Sequence, residues 1–147
     1  MELSMNVVLD KGAYMPESAH DADAGYDIKT PIPVTVAPST PNNGNGYAII
    51  DTGVHVAIPY GCVGFLKSKS GLNVKNSLTG EGVIDSGYTG SIVVKLYNHG
   101  NEEKHFKAGE KIIQLVILPI LKPKLVLVES LEDTERGDGG FGSTGSM

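Results

Sequence analysis

Ile92-Val93-Val94-Lys95-Leu96-Tyr97 repeats with a period of two, with Ile92, Val94 and Leu96 on one side of an extended chain and Val93, Lys95 and Tyr97 on the other. That is the pattern of a half-buried strand. It recurs upstream, where Val54, Val56 and Ile58 oppose His55 and Ala57. Leu3 to Leu9 and Val34 to Val36 read as further strands, the second set between Pro33 and Pro38. Ile112 to Leu118 is nearly all apolar, as expected of a strand covered on both sides. Leu125 to Val128 alternates again beyond Pro123. Between these runs, 19 Gly and 8 Pro in 147 residues supply turns. Pro38 to Gly46 is a polar hairpin tip with the character of an insertion, and Asn98-His99-Gly100-Asn101 is a second tight turn. One short helix is expected over Leu72 to Ser77, directly after Ser70-Gly71. Many short strands with few helices imply an all-β sandwich or barrel-like domain. With no fixed repeat and no linker, residues 1–147 form a single domain, divided into a core over 1–135 and a glycine-rich tail over 136–147.

Composition narrows the function classes. A net charge of −5 argues against a protein that grips nucleic-acid backbone, which needs a basic face. A small anion site made of a few cations and backbone amides remains open. Cys62 is the only cysteine, so no internal disulfide can form; its apolar surroundings, Val63-Gly64-Phe65-Leu66, predict a buried structural thiol. The N-terminus lacks the pattern of a signal peptide, and the longest apolar run, Ile112 to Leu121, is too short to span a membrane. A soluble cytoplasmic protein without a membrane partner is the expectation.

Five segments differ from ordinary strand and turn sequence: Asp23-Ala24-Gly25-Tyr26-Asp27-Ile28; Lys67-Ser68-Lys69-Ser70-Gly71-Leu72; Gly82-Val83-Ile84-Asp85-Ser86-Gly87-Tyr88-Thr89-Gly90; Phe106 to Gln114; and Arg136-Gly137-Asp138-Gly139-Gly140-Phe141-Gly142-Ser143-Thr144-Gly145. Ser70 and Gly71 open the short helix, where unpaired amides suit a phosphate and Lys69 adds charge. An N-capping serine beside solvated lysines reads equally well. The tail offers Arg136, two hydroxyls and flexible glycines, without the ending of a Walker loop; composition alone also fits a disordered tail. Phe141 has nothing local to pack on and is suited to stack on a base. Asp85 and Tyr88 share a hairpin that could hold a water and a sugar, or be an ordinary turn. His20, His55, His99 and His105 show no metal-ligand spacing, and no nucleophile motif appears.

In order, these five segments resemble the motifs of the trimeric dUTPase family, over about Met5 to Gly145. The third and fifth, GVIDSGYTG and RGDGGFGSTG, are the specific ones. The resemblance implies a β-clip or jelly-roll-like subunit with one short helix, in a homotrimer. The C-terminal arm would reach a neighbouring subunit, and three subunits would contribute to each site. The substrate would be dUTP, cleaved to dUMP and pyrophosphate with Mg2+, limiting uracil in DNA and supplying dUMP for dTMP synthesis. Carried over by position, Asp85 would activate the water that attacks the α-phosphorus and contact the 3′-hydroxyl, and Tyr88 would exclude a ribose. Gly82, Val83 and Ile84 would read the uracil edge through backbone groups. Lys69, Ser70 and Gly71 would hold phosphates. Gln114 would orient the water or the neighbouring chain, and Asp27 would reach magnesium through its waters. Arg136, Ser143 and Thr144 would clamp the γ-phosphate, with Gly142 in the same substrate-binding set and Phe141 over the uracil.

The match has departures. Lys69 stands where the family usually has arginine, giving charge without a bidentate fork. Gly87 and Thr89 replace the usual charged residues of the third motif. Gly87 is also similar to the related dCTP deaminases, but Lys95 occupies the place of their catalytic glutamate. A regulatory binding protein on the same scaffold is the other alternative; intact Asp85, Tyr88, Arg136 and Phe141 argue for turnover.

Overall fold

In a computed structural model, residues 3–42, 44 and 46–146 are described. Ten strands and one helix follow in the order β1 Val7–Leu9, β2 Gly25–Lys29, β3 Val34–Val36, β4 Gly46–Val56, β5 Cys62–Lys67, α1 Ser70–Asn76, β6 Leu78–Thr79, β7 Glu81–Ile84, β8 Ser91–Asn98, β9 Lys104–Phe106 and β10 Lys111–Pro119. They form two four-stranded sheets, β1-β4-β8-β6 and β2-β10-β5-β7, and a two-stranded ribbon, β3-β9. Every pairing is antiparallel. The fold is all-β, as the sequence predicts.

Both sheets turn their apolar faces to one core. Ile92, Val94 and Leu96 are buried from β8, Ile50 and Val54 from β4, and Ile112, Ile113 and Leu115 from β10. Burying each such side chain contributes roughly 1.5–3 kcal/mol before the entropy of ordering is set against it. Two buried polar side chains hold neighbouring segments of the first sheet and the ribbon together. Thr52 donates to the Ile92 carbonyl at 2.6 Å. Asn98 donates to Val36 and Glu102 carbonyls at 3.2 and 2.8 Å and accepts from the Gly100 amide at 3.0 Å, closing the turn after β8.

Several local expectations change. The first strand spans only Val7–Leu9, because its partner β4 ends at Val56 opposite Val7; beyond it only the Asn6 carbonyl, accepting from the Ala57 amide at 3.0 Å, continues the pairing. β10 is covered on both sides only in its first half; Leu118 at its far end is 42% exposed. Cys62 opens β5 opposite Pro119 at the sheet rim and is half-buried rather than buried. The helix begins at Ser70, two residues early, and stops where Ser77 enters the left-handed region at φ 56°. Leu125 to Val128 forms no strand: Leu125 and Leu127 are 90% and 100% exposed, since no edge of either sheet pairs with them. The last strand therefore ends at Pro119, short of the core boundary expected at 135. In the polar tip at Pro38–Gly46, Thr40 bridges Gly44, while Asn43 and Asn45 lie outside the described residues.

Candidate functional site

β5 runs through the middle of the second sheet, and a cluster of predicted site residues lies at each of its ends. At the C-terminal end, Lys67 is followed by Ser68, whose hydroxyl donates to the Gly80 carbonyl at 3.3 Å and accepts from the Gly80 amide at 3.0 Å. Gln114, in register with Lys67 on one side and Asp27 on the other, donates from its amide to the Ser68 carbonyl at 3.0 Å. Its side chain fits because Gly25 has no Cβ; one built there lies 2.9 Å from Gln114 Oε1. The loop entering α1 is thus clamped by Gly80, between β6 and β7, and by Gln114 of β10. Gln114 acts on that loop, and no contact of its side chain with Asp85 is formed within the chain.

Lys69 takes the N-cap position of α1 in extended conformation, φ −78° and ψ 132°, with no side-chain cap. Ser70 is therefore the first helical residue and does not cap. The first intrahelical bond joins the Asn73 amide to the Lys69 carbonyl at 2.9 Å, so the amides of residues 70–72 have no intrahelical acceptor. The Lys69 ammonium pairs with Asp27, which is 8% exposed, and Lys111 reaches the other carboxylate oxygen at 3.1 Å. Burial raises the Asp27 pKa, but hydrogen bonds from Lys69 and Lys111 and their charges outweigh it and hold the carboxyl below its usual range. The sequence gives no role to Lys111; its position as a cation three residues before Gln114 on the strand beside Asp27 was the available signal.

At the other end, β7 pairs with β5 from Lys67↔Glu81 to Gly64↔Ile84. Ile84 is anchored in the core, while Val83 is 62% exposed. The chain then turns through Asp85-Ser86-Gly87-Tyr88, closed by the Tyr88 amide on the Asp85 carbonyl at 3.0 Å. Asp85 is exposed in a cleft with Ser86, Cys62, Val63, Ile120 and Lys122. Tyr88 folds back, its hydroxyl donating to the Ser91 carbonyl at 2.7 Å. The ring lies on Gly90, where a Cβ would come within 2.6 Å of the phenolic oxygen. Gly90 thus sets where the Tyr88 ring can lie, a part the sequence alone did not give it.

Asp85 and the loop at Lys69 do not meet within one chain. They follow opposite ends of β5, and from Val63 beside the turn to Lys69 the extended backbone covers about 20 Å. Among the described residues, no hydrogen bond or ion pair joins the tail to either cluster. Arg136 Nε donates to the Gly139 carbonyl at 2.7 Å, Ser143 donates its amide to Gly140, and Phe141 is fully exposed with φ 51°. Gly142 accepts from the Gly145 amide at 2.9 Å, and Gly142 and Thr144 are both exposed. Lys95 lies over the Tyr47 and Tyr97 rings at 4.3 and 4.9 Å, so a cation holds the position where the deaminase alternative needs a carboxylate. No helix is long and apolar enough to cross a membrane, among the described residues.

Comparison with known proteins gives a consistent result. The dUTPase family model matches residues 11–145. A deoxyuridine 5′-triphosphate nucleotidohydrolase from Alkaliphilus metalliredigens is 42% identical over 136 residues, covering 90% of each chain. The protein of that name from Mus musculus is 41% identical over 95% of this chain and 83% of its own. Among solved structures, a dUTPase mutant of Staphylococcus bacteriophage 80alpha with dUpNHpp superposes with a TM-score of 0.86 at 36% identity, over 97% of this chain and 99% of that one. A phage phi11 dUTPase mutant, described with a structural Mg(II) ion, gives a TM-score of 0.78 at 33% identity, over 89% and 100%.

Proposed function

The chain belongs to the dUTPase family, and we propose that it hydrolyses dUTP to dUMP and pyrophosphate in sites shared between the subunits of a homotrimer. The observation that carries the shared site is the separation of Asp85 from Lys69 along β5. A triphosphate held at Lys69 of one chain needs Asp85 from another. In a closed threefold ring, three equivalent interfaces satisfy that need. The exposed arm beyond Pro119 is long enough to carry Arg136, Phe141, Gly142, Ser143 and Thr144 to a third subunit.

In this reading, Lys69 and the amides of Ser70 and Gly71 hold the phosphates, displacing part of the ion pair to Asp27. Gln114 keeps that loop in place through Ser68. From the adjoining subunit, backbone groups of Gly82, Val83 and Ile84 face the uracil edge. The narrow hairpin clashes with the methyl of thymine, and its donor and acceptor pattern leaves partners unpaired against cytosine. Tyr88 lies against C2′, where a ribose hydroxyl has no room. Asp85 accepts a proton from the water as its oxygen attacks the α-phosphorus, and pyrophosphate leaves in line. Arg136, Ser143 and Thr144 close on the γ-phosphate, with Phe141 over the base.

Among the described residues no three His, Cys, Asp or Glu side chains gather to chelate a metal. A cation held mainly by phosphate oxygens and water needs only one or two protein carboxylates, and the nearly buried Asp27 would meet that demand through water once Lys69 turns to the phosphates, with Lys111 still on its other oxygen. Magnesium bound there supplies neutralisation of the phosphate charge.

Two variants test the shared site. Asp85→Asn should lower turnover by roughly 10²–10⁴-fold while leaving nucleotide binding largely intact. Mixed and reassembled with Lys69→Met, it should regain activity, because about one interface in four then joins an intact Lys69 to an intact Asp85. Activity that persists in Asp85→Asn would remove the aspartate from the mechanism; reassembled mixtures that stay inactive would place both residues of a site on one chain.

A further inference from the structure

His55 is held where neither neutral tautomer satisfies it. On β4, its Nδ1 lies 2.8 Å from the Thr89 carbonyl oxygen, and its Nε2 lies 3.1 Å from both carboxylate oxygens of Asp10. A carbonyl and an ionised carboxylate only accept hydrogen bonds. Both ring nitrogens must therefore donate, which only the imidazolium can do. The charged groups facing the ring are Asp10, just past β1, and Asp51, on β4 itself; the hairpin contributes only the uncharged Thr89 carbonyl. The bonds to Thr89 and then Asp10 hold the pKa above its ordinary value, against the opposing effect of desolvation.

Thr89 directly follows Tyr88, so this contact lands on the turn that carries the sugar-facing ring. The turn has a second tether. The Tyr88 hydroxyl is bonded to the Ser91 carbonyl, and the Ser91 hydroxyl in turn bonds Asp51. The Gly53 amide donates to Ser91 Oγ at 3.0 Å and to Asp51 at 3.1 Å, closing this network onto β4. Gly53, at φ 66°, lies where the β4–β8 register shifts between Asp51 and His55, which brings His55 opposite Ser91 and beside the turn.

Resting on the assignment of Tyr88 and Asp85 to the nucleotide site, we propose that His55 is a positioning residue: as the imidazolium it clamps Thr89 to Asp10 and fixes Tyr88 against the deoxyribose. When the ring loses a proton, one nitrogen becomes an acceptor facing an acceptor, and that side of the clamp opens. The clamp is complete below the His55 pKa and is lost as pH rises through it. Its loss weakens the grip on the sugar and so raises KM. Turnover of bound nucleotide changes less, since Asp85 stands at the opposite end of the turn.

The test is KM and kcat for dUTP with magnesium, from about pH 5.5 to 9, in the wild type, His55→Ala, His55→Asn and Asp10→Asn. Ionisation of the substrate's phosphate is common to all four and cancels in ratios. The His55→Ala to wild-type KM ratio should be about three- to tenfold at low pH and fall toward one at high pH, with kcat nearly unchanged. In His55→Asn the amide nitrogen takes roughly the place of Nδ1 and donates to Thr89 at every pH without reaching Asp10, so its KM should lie between the His55→Ala and low-pH wild-type levels, at a ratio to His55→Ala that does not change with pH. Asp10→Asn should move the wild-type step to lower pH. A His55→Ala ratio that is constant with pH overturns the clamp. If His55→Ala fails to fold, an unmoved step in Asp10→Asn overturns it instead. A wild type that does not hydrolyse dUTP at any pH would sink the site assignment itself, whereas a wild type that turns over with a flat ratio sinks only the clamp.

Discussion

Replacing Gly90 with alanine should displace the Tyr88 ring, proposed to lie against the sugar, without changing that residue. The new Cβ would stand 2.6 Å from the Tyr88 phenolic oxygen, 2.7 Å from Cζ and 2.9 Å from Cε2. Reaching ordinary contact at 3.4 Å from 2.6 Å requires the ring to withdraw by about 0.8 Å. That movement takes the hydroxyl off the Ser91 carbonyl, where it now donates at 2.7 Å. Losing one hydrogen bond from a half-exposed tyrosine costs roughly 1 kcal/mol of stability. A misplacement approaching 1 Å at a reacting site costs on the order of tenfold to a hundredfold in kcat/KM. Recognition should therefore fail well before folding does. The assay is kcat/KM for dUTP and UTP in Gly90→Ala and Tyr88→Phe, with urea unfolding of each. Tyr88→Phe keeps the ring in place and should largely keep its preference for deoxyribose, whereas Gly90→Ala should lose at least about tenfold of that preference. A folded Gly90→Ala protein that discriminates as well as the wild type would refute the role given to the ring.

Truncation after Thr134 should leave a folded trimer with severely reduced activity, because no described residue beyond it is buried and the hydrogen bonds of the tail stay within the tail; activity together with light scattering would decide, and a truncated chain that no longer trimerises would give the tail an assembly role. Asp27 has a lowered pKa in the folded chain, so its stabilising contribution is present above the unfolded value of 3.8 and is lost as pH falls through the lower folded value. Chemical unfolding from about pH 5 downward should therefore show a steeper loss in the wild type than in Asp27→Asn, and parallel curves would show that the two lysines do not hold the carboxylate as described.

The strands of the core were legible because burial leaves a period in the sequence: Ile92, Val94 and Leu96 are all buried where alternation places them. The order of motifs was legible as well, although it is spacing along the chain and carries no distances. Periodicity failed where a strand needs a partner that the chain does not supply. Leu125 to Val128 alternates without an edge to join, and Leu3 to Asn6 extends beyond the end of β4. The helix start shifted because Lys69, not Ser70, takes the N-cap position, so a serine–glycine pair was a misleading boundary. The contacts around the site were the least visible. His55 reaches Thr89 across 34 residues and Lys69 reaches Asp27 across 42, pairings that depend on sheet order. Gly90 looks like any turn glycine until the Tyr88 ring is placed on it.

In the proposed function, the hairpin from Gly82 to Tyr88 selects uracil on deoxyribose for hydrolysis at the α-phosphorus. Pyrophosphate release with magnesium from dUTP, measured beside dTTP, dCTP and UTP, is the deciding measurement. Rapid release from dUTP alone is the predicted result. Comparable release from dTTP or UTP, or no release from dUTP while it remains bound, would contradict the account.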